Sequence, residues 1–135
     1  MTNGSGPSPP DSVVPQIGEE ALYLKTLQEL IQLRNDFARS KWTRRLTGAP
    51  SAQQTEFAEL RIRVQDRIRD LTNAQLAQIA SDLRANEANL ALGIQETKEA
   101  RLRFETIGKA FKAFSGFLGA VETVLKIAAR TVSPV

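Results

Sequence analysis

Residues 39–45, RSKWTRR, set four cations around the single tryptophan. Trp beside Lys and Arg is a pattern of membrane interfaces. Stacking on the indole plus phosphate pairing by Arg39, Lys41, Arg44 and Arg45 would equally hold nucleic acid. The plainer reading is a helix end: the last turn favours cations, and Trp42 then folds onto a bundle. Glu96 and Glu99 form an i,i+3 carboxylate pair, but no second ligand set accompanies them on that helix. The chain has no histidine and no cysteine. It therefore lacks the commonest general base, the commonest metal ligand and any thiolate nucleophile. No phosphate loop, dinucleotide fingerprint or calcium loop is present. The expectation is a protein that is not an enzyme and needs neither cofactor nor metal.

A second stretch carries more weight. Residues 109–130, KAFKAFSGFLGAVETVLKIAAR, form a helix whose apolar arc spans more than half its circumference. A helix laid against one partner needs a stripe of only about 100° or a little more. Three readings follow. The helix is central, covered by several neighbours in a bundle or oligomer. It lies in a membrane interface, with Phe111, Phe114, Phe117 and Leu118 inserted and Lys109, Lys112, Lys126 and Arg130 on anionic head groups. Or it spans a bilayer, where Glu122 near its middle is costly unless Ser115, Gly119 and Glu122 face a water-filled pore.

The elements that would position these residues are helical. Of 135 residues, 41% are hydrophobic, 24% charged and only 6% aromatic, which favours Leu- and Ala-built helices over sheets. Residues 1–17 are rich in Pro, Gly and Ser and predict a disordered leader. The remainder, 18–135, predicts one helical domain. Helices are expected at about 19–46, 52–71 and 73–131. The first has Leu24, Leu27, Ile31 and Ala38 on one face, with Leu30 and Phe37 beside it, and stops at TGAP, where Gly48 can take a left-handed cap. Ser51–Gln54 and Thr72–Gln75 both read as capping boxes.

From Leu76 onward apolar residues recur every seven positions: Leu76, Leu83, Leu90, Thr97, Phe104, Phe111, Leu118, Leu125. A straight helix drifts about 20° per heptad, so a sustained repeat means a supercoil or a break. Asn86 to Gly93 is the candidate break. Unbroken, 73–131 would be about 88 Å long. The fold expected is all-α, with three long helices in an elongated antiparallel coiled coil, or four in a bundle if the last bends near Gly93. Polar Thr97 and Asn86 on the heptad tracks are expected to face water.

The function expected is a non-catalytic assembly or adaptor protein. It would bind itself or other helical proteins through Phe104, Phe111, Phe114, Phe117, Leu118, Val121 and Leu125. The alternative is a membrane-active pore or lysis component on an anionic membrane surface, with nucleic acid a distant third. The N-terminus has neither a basic start nor an apolar run, so no secretory signal is expected, and the location is cytoplasmic or peripheral to a membrane.

Overall fold

The computed structural model describes the backbone of residues 10–103 and 106–127, and side chains within these from residue 18 onward. Of the leader read over 1–17, residues 1–9 lie outside the described residues, and the backbone of 10–17 belongs to the first helix. Among the described residues the chain forms six helices and no strand: α1 Pro10–Phe37, α2 Ser40–Leu46, α3 Ser51–Asn73, α4 Leu76–Ala85, α5 Glu87–Leu102 and α6 Ile107–Leu125. The all-α class holds, whereas the three-long-helix coiled coil does not. The expected first helix is α1 plus α2, and the expected third is α4, α5 and α6.

Four helices make a bundle in the cyclic order α1, α3, α6, α5, each packed on its two neighbours. Contacts between side chains fix the directions. Tyr23 Oη donates to the Leu71 carbonyl, so α3 runs antiparallel to α1. Arg63 reaches Glu122 while Phe57 stacks near Phe111, so α3 and α6 run parallel. Arg84, at the end of α4 just before α5, pairs with Glu19, and Arg101 of α5 pairs with Glu29, so α5 rises beside α1 in the same direction. The short α4 closes one end against α1, α5 and α6. At the other end α2 packs Trp42 onto both Phe57 and Phe111, with ring centroids at 5.6 and 5.9 Å.

Each break has a local cause. α1 stops at Phe37, and Arg39 is extended (φ −78°, ψ 148°), so α2 turns and Trp42 Nε1 donates to Asp36 at 2.9 Å. Gly48 has φ +84°, the expected left-handed turn. Asn86 ends α4, its side-chain amide donating to the Asp82 carbonyl at 2.8 Å. The chain reverses after Arg103, and Thr106 caps α6 by accepting from the Lys109 amide at 3.1 Å. Neither expected capping box forms. Gln54 instead donates to the carbonyls of Leu46 and Ala49, tying α3 to the end of α2.

Gly93 is not a bend. It lies inside α5 and is buried, and a Cβ there would stand 3.0 Å from the Phe117 Cα of α6. The glycine allows close approach of two antiparallel helices. The break sits instead at Asn86, where the heptad track becomes polar.

Candidate functional site

The broad apolar arc of α6 is the protein's own core. Phe111, Phe114, Phe117, Leu118 and Val121 are buried, and Leu125 is half-buried against the same cluster. α6 packs on α3, α4 and α5 and meets α1 and α2 through Phe37 and Trp42. Of the three readings, the central helix is the one observed. The expectation that Phe111, Phe114, Phe117, Leu118 and Val121 form a docking stripe is corrected: the chain's own helices cover them. Two breaks, at Asn86 and after Arg103, fold the last third back on itself and supply the missing neighbours. Phe104 and Arg130 lie outside the described residues.

The polar strip of α6 faces protein as well. Arg63 Nε and Nη2 donate to the two carboxylate oxygens of Glu122 at 2.8 and 2.7 Å, and Nη1 donates to Ser115 Oγ at 3.0 Å. Arg67 lies 3.5 Å from the same carboxylate. Ser115 and Glu122, which would line a pore, are thus held by two arginines of α3. Among the described residues no helix is long and apolar enough to cross a membrane.

The expected anion-contacting residues fall in different places. Lys41, Arg44 and Arg45 of α2 converge with Arg101, Leu102 and Arg103 at the end of α5 around a concavity of about 390 Å³. Among the described residues no carboxylate lines it. Lys41 Nζ donates to the Arg101 carbonyl at 2.6 Å and pairs with Asp36 at 3.1 Å. Arg44 donates to Ser40 Oγ, and the exposed Arg39 lies 3.7 Å from Asp36. Lys109 and Lys112 sit on a different face, opposite Glu96 and Glu99. Lys126 takes the left-handed cap of α6 and lies 3.6 Å from Asp82. Trp42 is 0% exposed, so it can neither anchor in a membrane nor stack on a base.

Sequence reasoning missed one surface concavity. A groove of about 830 Å³ runs between the parallel helices α1 and α5. Leu22 and Ile94 form its half-buried floor, and Gly18, Ala21 and Ala91 keep its rims low. Lys25, Gln28 and Lys98 stand along it. From Gly18 to Gln32 it extends about 21 Å, at 1.5 Å per residue. At one end it meets the basic concavity, since Arg101 and Leu102 line both. Leu102 is 74% exposed there. The only signal in the sequence was the alternation of Ala and Gly with Lys and Gln on α1 and α5, which resembles an ordinary solvated face.

Beneath the groove lies a buried ion pair. Arg101 Nε and Nη2 donate to Glu29 at 2.8 and 3.2 Å, both side chains nearly inaccessible. It locks α5 to α1 in register and adds a mutually neutralised pair to the groove lining beside Leu22 and Ile94. Among the described residues no group of three or more acidic, His or Cys side chains is arranged to hold a metal ion. The chain matches no family model, no curated protein and no solved structure.

Proposed function

We propose that this chain is a non-catalytic helical adaptor that holds a partner helix in the groove between α1 and α5. The observation that carries this reading is the groove itself, with Leu22 and Ile94 as apolar anchors on its floor, small residues at its rims and a length of about four helical turns. A third helix docks on a pair of helices where small residues let the backbones approach and apolar anchors recur at i, i+3, i+4 and i+7. Docking through α6 is not carried forward, because its apolar arc is already covered.

The test uses the full chain as bait for a displayed library of random helical peptides about 18 residues long. Binders are expected that lose their affinity when Ala91→Arg fills the groove and keep it when Ile62→Arg changes an exposed site on α3. If no binder emerges that depends on Ala91, the adaptor reading fails.

A further inference from the structure

We infer that the groove between α1 and α5 selects an amphipathic helix of defined polarity, antiparallel to both walls, with carboxylates in its first two turns. This rests on the adaptor reading and names the partner's chemistry. Charge is distributed unevenly along the site. At the α2 end the groove opens into the concavity lined by Lys41, Arg44, Arg45 and Arg103. Lys25 and Lys98 continue the positive rim along the groove. Glu29 is engaged by Arg101 and Asp36 by Lys41, so the positive excess at the mouth comes from its arginines. The other carboxylate on the lining, Glu87, stands at the opposite end in the first turn of α5.

Direction follows from the dipoles of the two walls. α1 and α5 both run toward α2, so their negative C-terminal ends point to the basic mouth. A guest running the same way could meet these cations only with carboxylates in its last turns, where its own dipole disfavours them, and its negative end would stand beside those of α1 and α5. An antiparallel guest brings its positive N-terminal end there. Asp and Glu in the first turns of a helix are favoured by its own dipole, so the guest's most stable acidic positions are the ones the arginines meet. Guanidinium groups bind carboxylates in a two-pronged geometry that a point charge does not offer. Leu102, exposed at the junction, supplies an apolar contact for the guest's buried face.

Sequencing the groove-dependent binders tests the inference. Asp and Glu are expected to concentrate in their first two turns, with an apolar residue every three or four positions. A synthetic binder should weaken about tenfold against the Arg44→Glu/Arg103→Glu double variant, a loss typical of two exposed pairs. The same binder with its carboxylates moved to the last two turns should lose a comparable amount. Circular dichroism of the double variant checks that the bundle is intact. The inference is overturned by groove-dependent binders without N-terminal carboxylates, or by binders indifferent to the charge reversals, and either outcome leaves the adaptor reading standing. Absence of any groove-dependent binder removes both.

Discussion

Glu122, in the last turns of α6, is gripped through both carboxylate oxygens by Arg63 of α3 at 2.8 and 2.7 Å. This pairing sets the parallel register of α3 and α6. It also places a charge that is costly in a spanning helix against two arginines of α3. Glu122→Ala would strand the Arg63 guanidinium at a partly buried seam and leave Arg67 with Asp70 alone. A loss of about 1.5–3 kcal/mol is expected, as for other hydrogen bonds to charged groups. Urea denaturation checks it, and a change below about 0.5 kcal/mol, the range of ordinary surface substitutions, would mean that the grip holds nothing.

Gly93 and Gly116 predict opposite signs for the same substitution. Gly93→Ala removes a helix-interior glycine, which alone would gain about 1 kcal/mol. Its new Cβ would press on the Phe117 backbone at 3.0 Å, however, and α5 and α6 would have to separate. Overpacking of that kind costs about 1–3 kcal/mol, so a net loss is expected. Nothing lies within 4 Å of a Cβ at Gly116, so Gly116→Ala should stabilise by about 1 kcal/mol. Thermal unfolding of the two variants should bracket the wild type.

The Glu29–Arg101 pair differs from surface ion pairs in being buried. Glu29→Ala leaves Arg101 without a counter-charge and should cost about 3–5 kcal/mol. Replacing both partners, Glu29→Leu with Arg101→Met, should restore most of that stability, because the desolvation penalty disappears along with the attraction. A double-mutant cycle in denaturant measures the coupling, and additive losses would contradict the burial argument.

Thr97 occupies a heptad position and is 0% exposed. Its hydroxyl has no hydrogen-bond partner among the described residues. The expectation that it faces water is corrected by the fold: α5 lies in the bundle, with neighbours α1 and α6 on either side of it. Thr97→Val keeps the shape and removes the stranded polar group. A gain of about 1 kcal/mol is expected from equilibrium unfolding.

The heptad track shows what the sequence encodes and what it leaves out. Leu83, Leu90, Thr97, Phe111 and Leu118 are all buried, so spacing located the core positions. It did not reveal that the chain reverses between Leu102 and Ile107, because neither proline nor glycine marks that turn and the register happens to resume in phase. On α1 the face was displaced. Leu24 is 56% exposed, while Leu30, Leu33 and Phe37 are buried. Three neighbours pull on that helix, so its inward side follows the bundle and not the best single stripe. Gly48 was legible because only a left-handed turn explains TGAP. The groove was not, because it arises from the spacing between two parallel helices, and each wall taken alone is an ordinary polar face.

Phe114 decides whether α6 is an internal element or a docking one. Its ring sits edge-on to Phe37 at 5.4 Å and to Trp42 at 5.8 Å, fully shielded. As part of the core, Phe114→Ala should cost about 3–5 kcal/mol, a large share of the 5–15 kcal/mol that a domain has. As a surface anchor it would cost almost nothing to fold, and its loss would show only in assembly. The two cases separate when stability and mass are measured on the same samples. With the arc inside, sedimentation of the wild type should give a compact monomer, and the folded chain should release no dye from anionic vesicles. Phe114→Ala should then lower the unfolding midpoint without altering the mass. A wild-type oligomer that dissociates on this substitution at unchanged stability would return the phenylalanines to the surface, and leakage at neutral pH would return them to the bilayer.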